Sequence, residues 1–387
     1  MKSAIDQPLE NAVARAVAPG IVALAADANG VFYEGAFGRA GLGNAPPLRL
    51  DAVFRIASMT KAVTAAAAMQ LVEQGRLALD QPVRGIAPEL GEARVLLGFD
   101  ADGTPRTRAP RREITLRHLL THTSGYSYDI FNGDVARYLK HEGLPSIRSG
   151  RYASLRAPLL FDPGERWEYG IGLDWVGRII EIVSGQPLEV CLQHNILRPL
   201  GMRDTSFVLR DDMEFRLVSL VSRSPDGSLS AVDQKPRGHA EFHSGGGGLY
   251  STGPDYLRFT RMLLDGGAFG GVRVLKPETV ALMGRNAIGD IEAGAFTCDD
   301  PALARSSEQW PGQIKRWGLS FLLNTEDVKG GRGAGSMTWG GVHNTTFWID
   351  PKRRLTTVLM MQILPSGDPQ VVETQERYEQ ALYAGRP

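Results

Sequence analysis

The 387-residue chain is poor in several things that would make it easy to classify. It has two cysteines, Cys191 and Cys298, too few for a disulfide framework and in keeping with a reducing compartment. It has no surplus of charge, since 43 acidic residues balance 43 basic ones, so no global field draws it to nucleic acid or an anionic membrane surface. Its longest mainly apolar stretch, 62–72, is shorter than the ~20 residues a spanning helix needs and is interrupted by Thr64 and Gln70. Asp6 and Glu10 stand where an export signal would need an unbroken apolar core, so the expected location is the cytoplasm. Low-complexity tracts and internal repeats are also missing. Lysine itself is scarce, with eight against 35 arginines.

What is present reads as an ordinary globular chain, 43% hydrophobic and 22% charged, long enough for one large or two intertwined domains. Two β-rich runs in 20–38 flank Asn29-Gly30, a hairpin signal. The segments 317–324, 336–350 and 354–364 are three further strand candidates, and 95–108 reads as a small hairpin around Asp102-Gly103. Apolar spacing of three to four predicts helices over 59–74, 115–122, 173–184, 187–197 and 254–265. The expected fold class is α/β (α+β): an antiparallel sheet from the two ends of the chain (1–57 plus 208–387), flanked by helices, with a mainly helical domain (58–207) inserted. The active site would lie at their seam.

One of the few lysines sits in "RIASMTKAVTAAAAMQLVEQG" (55–75), three residues after Ser58 at the start of an alanine-rich helix. As an N-cap, Ser58 would need no further explanation. Lys61, however, shares its helix face and lies at the positive end of the helix dipole, where a cation is disfavoured. Burial and the dipole both favour a neutral amine able to take the serine's proton. The helix start also offers the Ser58 backbone N–H to a developing oxyanion.

Further blocks follow in order: "TLRHLLTHTSG" (115–125), "FDPGERWEYGIGLDWVGRIIEIVSGQPLE" (161–189), "ILRPLGMRDTSF" (196–207), "SGGGGLYSTGPDYLRF" (244–259) and "WGGVHNTTFWIDP" (339–351). With the Ser-x-x-Lys (SxxK) motif they resemble the serine β-lactamase-like superfamily of class C β-lactamases, D-Ala-D-Ala carboxypeptidases and family VIII carboxylesterases. The resemblance covers nearly the whole chain. It implies that Ser58 is the acylating nucleophile, Lys61 its proton-accepting partner and Tyr169 the group that passes the proton to the leaving group. By the same strand alignment, the backbone N–H of Val342 would be the second oxyanion donor.

Two departures point to a subfamily. Ile171 stands where the lactamases and peptidases usually place asparagine, and Trp339-Gly340-Gly341 replaces the Lys-Thr-Gly that grips a substrate carboxylate. The Trp-Gly-Gly version is that of the family VIII esterases, which implies an uncharged ester, since a buried carboxylate needs a partner and an apolar acyl group does not. Tyr128 falls where many of these esterases keep a cleft tyrosine. With Phe131, Trp339 and one of Phe347 and Trp348, it would wall an apolar pocket.

The expected function is therefore a serine carboxylesterase acting on short-chain, uncharged esters through an acyl-enzyme, with a small-molecule ester as its partner. Neither nucleic acid nor membrane is implied, and no cofactor or metal. Acyl transfer to an alcohol or amine is a variant the same site permits. A β-lactamase or D-amino-acid peptidase, and a catalytically silent scaffold on this fold, remain the other readings. His118 and His122 have metal-ligand spacing, but "HLLTH" lacks the glutamate of a zinc protease. No G-x-S-x-G elbow supports a Ser–His–Asp hydrolase. "SGGGG" (244–248) lacks the ending of a phosphate loop and reads as a tight entry to the next helix, while His343 reads as a packing or surface residue.

Overall fold

The computed structural model describes residues 2–233 and 240–384. Its centre is a seven-stranded antiparallel sheet built from both ends of the chain. The N-terminal part supplies β1 (Gly20–Asp27) and β2 (Gly30–Gly38). The C-terminal part supplies β3 (Lys315–Trp317), β4 (Leu322–Asn324), β5 (Met337–Gly341), β6 (Thr345–Asp350) and β7 (Leu355–Met360). The spatial order is β3-β4-β5-β6-β7-β1-β2, so β7 closes the two ends of the chain on each other, with Val22 opposite Met360 and Asp27 opposite Leu355.

Alternation along β1 explains its near-continuous apolar sequence. Val22, Leu24 and Ala26 face one apolar core, while Ile21, Ala23 and Ala25 face another on the opposite side of the sheet. The outer core is closed by α1 (Lys2–Ala14) and α5 (Pro369–Tyr383), which pack on each other. The inner core holds α2 (Thr60–Glu73), α3 (Gly172–Ser184) and α4 (Gly253–Leu264). That core runs unbroken from the sheet into the helices of 58–207. Every residue of α2 from Thr60 to Met69 is buried, as befits a helix that is apolar all round, and its alanines let neighbouring elements approach closely. Among the described residues no helix is long and apolar enough to cross a membrane.

Several boundaries differ from the sequence expectation. The segment 336–350 is a hairpin rather than one strand: β5 and β6 are joined by a turn in which Asn344 takes φ +62°. The segment 317–324 likewise breaks, with Ser320 at φ +78° between β3 and β4. In 354–364, β7 stops at Met360, and Ile363–Leu364 pairs in parallel with Val221–Ser222. The first hairpin turns on Ala28-Asn29, because Asp27 pairs with Gly30.

Candidate active site

Ser58 belongs to a short 3-10 turn, Ala57–Met59, just ahead of α2. The helix has no side-chain cap, so the Ser58 hydroxyl is not spent on capping. The preceding Ala57 sits at φ +45°, a strained conformation for a residue with a Cβ. The hairpin of β5 and β6, with Gln362 just beyond β7, holds this segment in place. Thr345 Oγ1 donates to the Ile56 carbonyl at 3.2 Å, Gln362 Nε2 donates to the Arg55 carbonyl at 3.1 Å, and His343 Nδ1 lies 3.3 Å from that carbonyl. Glycine is required at 341 because a Cβ there would collide with the Ile56 carbonyl and Thr345 Oγ1.

Two groups meet at the serine. Lys61, fully buried, places Nζ 3.2 Å from Ser58 Oγ. Its other partners are the Gly246 carbonyl at 2.6 Å and the Tyr128 hydroxyl at 3.0 Å. The Tyr169 hydroxyl lies 2.6 Å from Ser58 Oγ, and the Trp339 indole donates to that hydroxyl at 3.2 Å. Tyr169 is held by its neighbours: Gly170 N donates to His122 Nδ1 at 3.3 Å, and Glu168 N donates to the His122 carbonyl at 2.8 Å. His122 lies 4.8 Å from the Tyr169 ring, centre to centre. Burial and the nearby Lys61 charge push its pKa well below the ordinary histidine value.

A cavity of about 300 Å³ opens on Ser58. Phe131, Tyr169, Trp339, Gly340, Gly341 and Val342 line it, so the sequence brings all of these to one place. Trp348 also lines it, whereas Phe347 turns into the core against Tyr256 and Phe321. β4 pairs with β5 only at Met337 and Thr338, which leaves the edge of Trp339–Gly341 outside that pairing. Ile171 is buried as the residue heading α3.

Tyr128 departs from its expected place. It is not among the residues lining the cavity. Its hydroxyl accepts from Lys61 and donates to Asp174 Oδ2 at 2.9 Å, and burial beside that carboxylate raises its pKa well above the ordinary tyrosine value. The glycine run also has a different use from the one its sequence suggests. Asp174 Oδ1 accepts from Ser244 Oγ at 2.5 Å and Gly246 N at 3.1 Å, and a Cβ on Gly246 would strike Asp174 and the Tyr128 hydroxyl. Asp174, Ser244 and the Gly246 carbonyl were not foreseen from sequence. The two histidines of "HLLTH" do different jobs: His118 Nδ1 accepts from Thr115 N in a helix cap, and His122 holds Gly170.

A family model described as Beta-lactamase matches residues 5–382. The chain belongs to the beta-lactamase family. Within that family it is 36% identical to the lovastatin esterase of Penicillium rubens, over 98% of both chains. It is 35% identical to the monacolin J acid methylbutanoyltransferase of Aspergillus terreus, over 95% of this chain and 92% of that one. Among solved structures, unliganded simvastatin synthase (LovD) from Aspergillus terreus superposes with a TM-score of 0.85 at 34% identity, over 98% of this chain and 97% of that one. These relatives place the chain among the ester hydrolases and acyl transferases of the family.

Proposed function

We propose that the protein carries a short, uncharged acyl group on Ser58 and delivers it either to water or to an alcohol. The observation that carries this reading is the position of Ser58 Oγ between Lys61 Nζ and the Tyr169 hydroxyl, at 3.2 and 2.6 Å, at the mouth of a cavity walled by Phe131 and Trp339. In the amine form, Lys61 has two N–H groups and one lone pair. Gly246 and Tyr128 offer two acceptors for those N–H groups, which leaves the lone pair for the serine. Ser58 Oγ then bonds to the ester carbonyl carbon as its proton passes to Lys61. The oxyanion is held by the backbone N–H groups of Ser58 and Val342. Tyr169 protonates the departing alkoxide and is resupplied with the proton Lys61 took, so the net transfer is from serine to alcohol. Deacylation reverses these roles for the incoming hydroxyl.

The wall supports an uncharged acyl side. Trp339 stands where a lysine would grip a carboxylate, and Arg332, the one arginine among the described lining residues, is bound to Glu379 through Nε at 2.8 Å and Nη2 at 2.7 Å. The named activities of the relatives, an esterase and a methylbutanoyltransferase, favour a small branched acyl group and an alcohol acceptor. The test is intact-protein mass spectrometry with p-nitrophenyl butyrate and with nitrocefin, on the wild type and on Ser58→Ala, while an added alcohol is titrated. The expected result is a butyryl adduct absent from Ser58→Ala, faster p-nitrophenol release with rising alcohol, and formation of the alkyl butyrate. Rapid nitrocefin turnover with inert esters, or an adduct that survives Ser58→Ala, would overturn the reading.

A further inference from the structure

Lys61 and Asp174 are both fully buried, yet they do not touch. Between them lie the Tyr128 hydroxyl on one route and the Gly246 peptide on the other. Asp174 is the end of both routes, and an ionised carboxylate can only accept hydrogen bonds. Its oxygens take the hydroxyl of Tyr128, the hydroxyl of Ser244 and the N–H of Gly246. This fixes the direction of every bond beyond it. Tyr128 has one proton, and that proton is committed to Asp174, so its oxygen faces Lys61 only as an acceptor. Gly246 is pinned through its N–H while its carbonyl takes a second proton from Lys61.

We propose that Asp174 is a positioning residue that sets the hydrogen-bond direction around Lys61, drawing two N–H groups away from the serine so that the amine lone pair faces Ser58 Oγ. The inference rests on the reading of Ser58 as nucleophile and Lys61 as its proton acceptor. The same carboxylate has a second effect. When Lys61 takes the serine's proton, the ammonium that forms is buried, and none of its three contacts, Ser58, Tyr128 and Gly246, is an anion. Asp174 supplies the counter-charge through one intervening hydroxyl, and it was in place before the proton moved.

Asp174→Asn tests the idea with little change of shape. The amide keeps one acceptor for Ser244 and Gly246 but presents an N–H to Tyr128, whose own proton must then turn toward Lys61 and occupy the lone pair. The expected result with p-nitrophenyl butyrate is a fall in kcat of about 100-fold, the lower end of a general base's contribution, with KM held within about threefold. In a Tyr128→Phe background, where one route from Asp174 to Lys61 is already cut, the same substitution should cost at least tenfold less than it does alone, because residues of one network are not additive. Tyr128→Phe by itself leaves Asp174 bonded to Ser244 and Gly246 and is the safer variant for folding. It should lower kcat by about tenfold or more with KM little changed.

Wild-type kcat in either single variant would overturn the inference, and so would additive losses in the double variant with KM rising in step. Fluorophosphonate labelling of Ser58, which needs no knowledge of the natural ester, separates the two levels. Labelling in the wild type and its slowing in Asp174→Asn support the inference; equal labelling of the two defeats it alone. Absence of labelling in the wild type removes the nucleophile reading and the inference with it.

Discussion

Two pairs of opposite charge, each with a buried carboxylate, lie on the two sides of the sheet, and they are built differently. On the outer side, Arg223 donates directly to Asp368 at 2.7 Å and also to the carbonyls of Ala16, Val17 and Gly227. On the inner side, Lys61 and Asp174 are both fully buried and kept apart by the hydroxyl of Tyr128. Direct contact ties the cation down with four hydrogen bonds and leaves it no role beyond holding the chain. An interposed hydroxyl neutralises the lysine at a distance and leaves one position on its nitrogen open to the serine. The outer pair fastens the chain; the inner pair is arranged around a proton.

The comparison is broken most severely at Lys61. Lys61→Met should lower kcat/KM for p-nitrophenyl butyrate by about 10³–10⁴-fold, and Lys61→Arg should not restore it, since a guanidinium keeps its charge and has no lone pair to offer. Arg223→Met on the outer side should instead cost about 3–5 kcal/mol of stability, read as a lower urea midpoint, because Asp368 is left buried without its partner. The kcat of the folded fraction should stay within about threefold of wild type. A matching loss of kcat would erase the distinction between the two pairs.

Smaller effects sharpen it. Trp339→Phe removes the donor to Tyr169 and should lower kcat by about tenfold, the equivalent of one hydrogen bond, without loss of fold. pH acts on stability through His122 at the site and through the capping His118. Burial holds His122 well below the ordinary value, and burial with Arg112 brings His118 down to about 4. Both are neutral in the folded protein, whereas in the unfolded chain they bind protons below about pH 6.5. The stability they contribute is therefore full above that value and declines as pH falls, by up to about 1.4 kcal/mol per pH unit for each. Urea midpoints at pH 7.5 and 5.5 should show this decline, and His122→Gln should remove part of it. An unchanged slope in that variant would show that His122 titrates alike in both states.

Much of the site was legible because the chemistry is carried by side chains at short spacing. Ser58 and Lys61 share one helix face, and the Trp-Gly-Gly strand declares its close approach to another segment by the glycines themselves. Asp174 was not legible. An acidic residue in the first turn of a helix is what the helix dipole favours anyway, so nothing local separated it from an ordinary surface carboxylate. The Gly246 carbonyl has no side chain to read. Tyr128 was found, but spacing does not say whether a ring walls a cavity or its hydroxyl reaches a lysine. In the fold, α5 carries a regular stripe of Val371, Thr374, Tyr378 and Leu382 behind an Asp368-Pro369 start, a helix signal that the sequence itself displays. In α1, an internal Pro8 obscured a face made of Ile5, Leu9 and Ala12.

The contact of Thr345 with the Ile56 carbonyl joins residues 289 positions apart. The serine's own segment is synthesised well before the strand that braces it and the β7 that seats that strand beside β1. On the proposed reading, a chain leaving the ribosome has its serine long before it has the strand that braces it. The proposed acylation therefore waits for β6 and β7 to pair beside β1, and the appearance of activity during translation would mark that pairing.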